Sequence, residues 1–421
     1  MTIFADEIFI PGGLPDATYV AREHLQMEER LSAWLGRKQK RLLSLSGPTK
    51  SGKTVLLKKM LKDPIRLSGG AIVTVEDFWD TVCDKLELFT EHTLLAGTGK
   101  ADSLQASGSV NVGVLGATGT GTTDHTSERS VTRGRVISSL VAGRRGLETA
   151  DRIVVIDDFH YIDSAVQVQI IHGLKDLIFD GLGVVVAAVP HRSYDVVRLE
   201  KEMVGRVLSF PVDQWDTADL RQIAEKGFAA LKVNVEDTAI GRMANESFGS
   251  PHLMQMHCLN YCENNLVDGE VMPNLDDAAW DSFFQQQAAD TSKSAFDLLK
   301  SGPPRSSRNS RTLKSGLVTD IYGAVLHAIS CSGGGATISY EEVRDALRRE
   351  LQGDLPQRHE ITAVLEKMTR IAKDSIEGEP VLEYDKSRSE LHIVDPYFAY
   401  YLRWAPDSLK DLEVRRGGKN A

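Results

Sequence analysis

Short apolar runs alternate with stretches of helical spacing along the first half of the chain. Leu42-Leu43-Ser44-Leu45-Ser46, Ala71-Ile72-Val73-Thr74-Val75, Arg152-Ile153-Val154-Val155-Ile156, Gly183-Val184-Val185-Val186-Ala187-Ala188-Val189 and Val207-Leu208-Ser209-Phe210-Pro211-Val212 each read as a strand, because a near-continuous apolar or β-branched run suits a strand covered on both faces. Between them the apolar positions recur at helical intervals. They do so up to Leu35, from Val55 to Leu61, from Asp77-Phe78-Trp79 towards Phe89, over residues 135–147, over residues 167–179, and again around Arg198 and Glu200. Strands alternating with helices predict an α/β fold in which a parallel sheet carries helices on both faces.

Residues 97–131 break that rhythm. They are rich in Gly, Ser and Thr, and Ser109-Val110-Asn111-Val112-Gly113-Val114 alternates apolar with small polar residues. The segment is open to two readings, a β-hairpin insertion in a sheet domain spanning residues 1–212, or a flexible loop. Residues 213–300 read as a helical lid with a helix over residues 275–300, and the basic, helix-breaking run over residues 301–311 as a linker. In residues 312–405 one helix face is drawn by Val318, Ile321, Val325, Leu326 and Ile329, and Ser339-Tyr340-Glu341-Glu342 opens a second helix with a capping box. Residues 360–372 give a third helix, and residues 380–385 and 390–394 a hairpin turning at Lys386-Ser387-Arg388-Ser389. Three helices and a hairpin predict a winged helix-turn-helix, closed by an aromatic-rich helix after Asp395-Pro396, with residues 406–421 as a tail.

Composition fits this plan. The chain has 421 residues, 42% of them hydrophobic and 26% charged, which is ordinary for a soluble globular protein of more than one domain. No apolar run approaches the ~20 residues that span a bilayer, and Met1-Thr2-Ile3-Phe4-Ala5-Asp6-Glu7 lacks the basic start of a signal peptide, so the expectation is a cytoplasmic protein with no membrane partner. A net charge of -10 excludes a chain that coats itself with nucleic acid, although a local basic groove is compatible with it. The four cysteines are too few for a disulfide framework. Cys258 and Cys262, with His252 and His257 nearby, read as buried thiols on one helix face rather than a zinc site.

The chemistry is concentrated after the first strand. Gly47-Pro48-Thr49-Lys50-Ser51-Gly52-Lys53-Thr54, followed by Val55, is a phosphate loop in its required strand–loop–helix context. Gly47 and Gly52 allow the turns that point successive N–H groups inward, and the helix beginning near Lys53 adds its positive end, so the loop seats a polyphosphate. The expected ligand is ATP with Mg²⁺: Lys53 reaches the β- and γ-phosphates, Thr54 ligates the metal, and Asp157, at the end of the third strand, is the metal's carboxylate. Asp158 is placed to orient or deprotonate the attacking water. Tyr19 and Val20, in the segment preceding the first strand, are candidates for covering the base, with core packing an equal alternative for Tyr19. His191 and Arg192, after the fourth strand, stand where a side chain senses the γ-phosphate.

These motifs resemble the AAA+ and STAND branches of P-loop ATPases, in particular initiator-like bacterial and archaeal proteins with a C-terminal winged helix. Three further stretches are similar. Gly205-Arg206 stands where such families carry an arginine finger reaching a neighbour's nucleotide, with Arg198 the alternative. Trp215-Asp216-Thr217-Ala218-Asp219-Leu220 looks like the start of the first lid helix, and Phe248-Gly249-Ser250-Pro251-His252 like the G-x-P lid signature that brings Pro251 and His252 to the nucleotide. Two positions depart from the pattern: fast hydrolysers have Glu where Asp158 stands, and an arginine is common at His252. The shorter Asp158 side chain implies slow turnover. The resemblance implies an ATP-dependent regulatory switch that assembles as a homo-oligomer with nucleotide sites at or near subunit interfaces, or acts on a protein effector. Relatives of this shape serve in antiviral defence or mobile-element control. The alternatives are a DNA-binding ATPase of the initiator or transposition-regulator type and a nucleotide-binding scaffold without turnover. DNA binding stays open at this stage. Gln357, Arg358, His359, Lys367, Lys386 and Arg388 are suitable donors, but Glu360, Glu366, Glu383 and Asp385 lie among them.

Overall fold

The computed structural model describes residues 4–88, 91–97, 128–134, 138–188, 203, 205–267, 270–271, 275–288, 292–304, 308–332, 335, 337–376 and 380–405. Its centre is a five-stranded parallel sheet in the order Ile65–Ser68, Val154–Asp157, Val184–Ala188, Leu42–Ser46, Val207–Pro211. The strand preceding the phosphate loop therefore lies between the fourth and fifth strands, and the acidic strand lies one further along. Alternate residues of the same strands feed two cores. Leu42, Val154, Ile156, Val184 and Val186 pack on one face against Phe78, Trp79 and Leu174, while Leu43, Leu45, Val155, Val185 and Ala187 pack on the other against Trp34, Leu57 and Phe210. That double coverage is why the runs are almost purely apolar.

The second strand is not where the β-branched run placed it. Residues 71–75 lead into a helix, Val75–Lys85, through a capping box in which the Asp77 N–H donates to Thr74 Oγ1 at 3.1 Å and Asp77 Oδ2 accepts from the Thr74 N–H at 2.7 Å. Helix-start chemistry there outweighs strand propensity. The strand is Ile65–Ser68, paired Ile65 to Val154 through Ser68 to Asp157, and it buries only Ile65 and Leu67, as the edge of a sheet allows. At the two ends of the insertion, Glu91–Gly97 and Glu128–Gly134 pair antiparallel. Residues 109–114, read above as the alternating stretch, lie outside the described residues, as do His191, Arg192, Arg198 and the tail over residues 406–421.

The lid is built from Thr217–Leu231, Asp237–Asn245, Pro251–Asn265 and Asp277–Ala288, around a core that includes Leu220, Phe228, Met254 and Trp280. The helix expected over residues 275–300 is two, Asp277–Ala288 and Lys293–Ser301, and the second packs into the winged-helix core through Phe296 and Leu299. Cys258 and Cys262 are fully buried in the lid core, and burial pushes both thiols up, Cys262 to about 12. His257 bonds Gln287 and His252 bonds Tyr397, so neither imidazole is turned to those sulfurs as a ligand.

The winged helix comprises Ile321–Ser330, Tyr340–Glu350 and Arg358–Ser375, with an antiparallel sheet ordered Thr337–Ser339, Glu390–Ile393, Leu382–Asp385. The capping box at Ser339 and Glu342 forms as read, the Ser339 N–H donating to Glu342 Oε2 at 2.7 Å. The linker's Arg308 is a fastening rather than a free cation. Its Nη1 donates to Asp320 at 2.6 Å, its Nη2 to the Ser301 carbonyl at 2.7 Å, and its guanidinium covers the Tyr322 ring. The closing helix, Pro396–Trp404, buries Phe398, Tyr400 and Tyr401.

Candidate functional site

The phosphate loop bends through left-handed backbone at Lys50 (φ 59°) and Gly52 (φ 93°), which turns its N–H groups to one side before the helix Lys53–Met60 begins. Gly47 is held by space. A Cβ there would come within 2.6 Å of the Val212 carbonyl oxygen. Lys53 is buried, its ammonium donating to the carbonyls of Gly47 at 2.7 Å and Pro48 at 2.8 Å. One residue on, Thr54 Oγ1 donates to Asp157 Oδ2 at 3.0 Å, joining the loop to the C-terminal end of the acidic strand.

Arg66 on the edge strand approaches the same Asp157 oxygen at 3.5 Å. The other, Oδ1, is buried without a hydrogen-bond partner among the described residues, as are the hydroxyl oxygens of Thr49 and Ser51 in the loop. Buried polar atoms left unpaired cost free energy, and a carboxylate oxygen, a threonine hydroxyl and loop donors are the hard oxygen set that suits Mg²⁺ with a polyphosphate. Asp158 lines the same space in left-handed backbone (φ 53°), close under Gly69, where a Cβ would meet the Asp158 carbonyl oxygen at 2.1 Å. A non-glycine residue held in that region is stored strain of the kind found at functional sites.

The loop from Thr49 to Val55 and Asp158 line a cavity of about 250 Å³. Gly12, Tyr19, Val20, Arg22 and Met27 line it too, with Trp215, Pro251 and His252 from the start of the lid. Tyr19 and Val20 therefore do line the pocket. Lys59 sits 3.3 Å from the centre of the Tyr19 ring, and burial with the Glu28 carboxylate pushes the phenol above its usual range.

Arg206 is elsewhere. It precedes the fifth strand, stacked over Phe179 at the N-terminal edge of the sheet, and a five-residue strand at about 3.3 Å per residue puts it roughly 16 Å from the chain's own phosphate loop.

Four participants, Arg22, Trp215, Asp395 and Tyr397, are not marked as site residues by any local sequence signal. Arg22, 2% exposed, stacks its guanidinium 4.6 Å from the Trp215 ring centre and donates to the Asp213 carbonyl at 2.8 Å. Its burial lowers its pKa, against the opposing pull of Asp219 and Asp213. Trp215, just before the first lid helix, donates from its indole to the Ser51 carbonyl at 2.8 Å and so binds the lid to the phosphate loop. From the winged helix, Asp395 accepts from Lys50 Nζ at 3.0 Å, and the Tyr397 ring lies under the same ammonium at 4.0 Å. The Tyr397 hydroxyl meets His252 Nδ1 at 2.5 Å, and burial together with the Lys50 charge lowers the His252 pKa. Sheet domain, lid and winged helix thus meet at one lysine of the phosphate loop.

No family model and no curated protein matches the sequence. Solved structures do match the fold. A Walker-type ATPase of Pyrococcus abyssi is similar at 15% identity over 92% of this chain and 99% of that one, with a TM-score of 0.52. The ORC2 protein of Aeropyrum pernix, solved as ADPNP–ADP complexes, is similar at 11% identity over 96% of each chain, with a TM-score of 0.51. Among the described residues no helix is long and apolar enough to cross a membrane. The chain shares the P-loop α/β fold of these structures: a parallel sheet domain with helices on both faces, followed by a helical lid and a C-terminal winged helix.

Proposed function

We propose that the chain binds ATP with Mg²⁺ in the cavity above the phosphate loop, hydrolyses it slowly, and uses nucleotide state to set whether its winged helix stays docked. The observation that carries the reading is the Thr54–Asp157 hydrogen bond beside the unpartnered Asp157 Oδ1, with Thr54 itself lining a cavity that Tyr19 and Val20 also line. Thr54 and Asp157 would hold the metal, and Mg²⁺ when bound would neutralise charge on the β- and γ-phosphate oxygens. Lys53 would exchange the Gly47 and Pro48 carbonyls for phosphate oxygens. Asp158 would orient the water, its shorter reach limiting the rate.

Control follows from Lys50. An incoming phosphate competes with Asp395 for this ammonium, so triphosphate binding works against the docked winged helix. Arg206, too distant to act on its own nucleotide, is the residue to reach a second copy's site in a homo-oligomer. A protein effector is a further candidate partner for surfaces freed by undocking.

The test is a binding titration with ATP and Mg²⁺, followed by phosphate release. Wild type binds and turns over below about 10 per second. Lys53→Ala loses binding by at least about a hundredfold and Asp157→Asn loses the Mg²⁺ dependence, outcomes expected of charge-assisted bonds worth about 2–3 kcal/mol each. Asp158→Ala binds but releases no phosphate. Wild type that binds without release would leave the scaffold reading in its place.

A second reading, DNA as the partner of the winged helix, is favoured by the shared ORC-type fold and by one observation. Arg358, His359 and Lys386 line an open cleft of about 540 Å³ between the start of Arg358–Ser375 and the wing. Lys386 is drawn to Glu366 and Lys373 to Glu383, which opposes phosphate contact. Loss of duplex binding at low salt in a Lys386→Glu, Arg388→Glu double variant is the expected result, and retained binding removes the wing as the contact.

A further inference from the structure

We propose that His327, Cys331 and Glu350 form a zinc-type divalent metal site on the winged helix, separate from the nucleotide's Mg²⁺. His327 and Cys331 are four residues apart, on the last turn and the C-cap of Ile321–Ser330, so they share one face. Glu350 ends the next helix, Tyr340–Glu350, and turns its carboxylate to the same point. Their donor atoms all lie within 4.8 Å of one another. His327 Nε2 is 3.2 Å from Glu350 Oε2 and 3.7 Å from Cys331 Sγ. A tetrahedral ion held about 2.0–2.3 Å from nitrogen, oxygen and sulfur spaces its donors about 3.3–3.7 Å apart, so the cluster needs little movement to close on a cation.

The chemistry is selective as well. A neutral imidazole, a thiolate and a carboxylate together carry two negative charges, which cancel a divalent cation. The mixed N, S, O set favours zinc over magnesium, and the thiolate is the donor that excludes the latter. Cys331 releases its thiol proton to solvent as the metal–sulfur bond forms, and no electrons change hands. His327 is buried, Glu350 half-buried and Cys331 exposed, so the fourth position faces water. The site would pin the first two helices together where the linker enters, since the Glu350 carbonyl also accepts the Lys314 N–H at 2.7 Å.

The test uses the full chain, stripped of metal and of any histidine tag, titrated with Co²⁺ and then Zn²⁺. The expected result is one Co²⁺ per chain with a thiolate-to-cobalt charge-transfer band and tetrahedral ligand-field bands, both lost on adding Zn²⁺. Cys331→Ser, at an exposed position that does not threaten folding, loses the charge-transfer band. Glu350→Gln weakens uptake more than about tenfold. Asp157→Asn, which removes the carboxylate of the nucleotide's metal, leaves Co²⁺ uptake and its charge-transfer band unchanged, which separates this site from the nucleotide's. A wild type without the band, or a band that survives Cys331→Ser, overturns the proposal.

Discussion

Replacing Asp395 by serine isolates the contact between winged helix and phosphate loop. Asp395 Oδ1 accepts from both Lys50 Nζ at 3.0 Å and the Tyr397 N–H at 2.8 Å, so alanine would uncap the closing helix while serine, a good N-cap, retains that role and removes only the charge. The pair is partly shielded, the Lys50 and Asp395 side chains being 30% and 21% exposed. A half-buried pair lies between the surface range and the buried one, so its loss should cost the docked state about 1 kcal/mol. The cation–π contact with Tyr397 stays. If docking and phosphate compete for Lys50, that energy returns as nucleotide affinity, and about 1 kcal/mol is about a fivefold lower Kd for ATP. Calorimetric titration of wild type and Asp395→Ser with ATP and Mg²⁺, at matched melting temperature, measures it. An unchanged or weaker affinity in the folded variant would refute the competition. Lys50→Met is the control: it also breaks the pair but removes the phosphate's partner, and it should not bind more tightly.

Other consequences follow from the same geometry. Gly69→Ala puts a Cβ against the Asp158 carbonyl oxygen, at 2.1 Å without relaxation, so turnover should fall at least about tenfold in a phosphate-release assay while ATP affinity stays within about threefold. Trp215→Phe removes the bond to the Ser51 carbonyl and should weaken ATP binding about fivefold, the worth of about 1 kcal/mol, and wild-type tryptophan fluorescence should change on adding nucleotide. His257 is fully buried and desolvation lowers its pKa to about 4. Below the unfolded value of about 6.5 the unfolded chain binds a proton that the folded chain refuses, so stability falls as pH drops from about 6.5 to about 4, by about 3 kcal/mol at most. Urea midpoints across that range should show the slope, and His257→Gln should flatten it.

How much of this was legible in the chain depends on how local each feature is. The phosphate loop, the acidic strand end, the capping box at Ser339 and four of the five strands come from residues adjacent in sequence acting on one another, and each formed where its spacing placed it. The second strand was misplaced because Ile65–Ser68 sits at a sheet edge and needs only two buried residues, whereas the more apolar residues 71–75 were claimed by a helix cap. The long lid helix was divided because its second half belongs to a different core.

What tertiary structure alone decided is the company kept by Lys50. In sequence it is one variable position of a phosphate loop. In the fold it carries an aspartate and a tyrosine ring from 345 and 347 residues away, since Asp395 and Tyr397 follow it by those separations. Arg22 on Trp215, and the His327, Cys331 and Glu350 cluster, have the same origin. Hydrophobic period and cap chemistry determine which segments are helix or strand, because those choices are settled within a few residues. Which charges meet across domains is settled by how whole faces pack, and no local pattern encodes it.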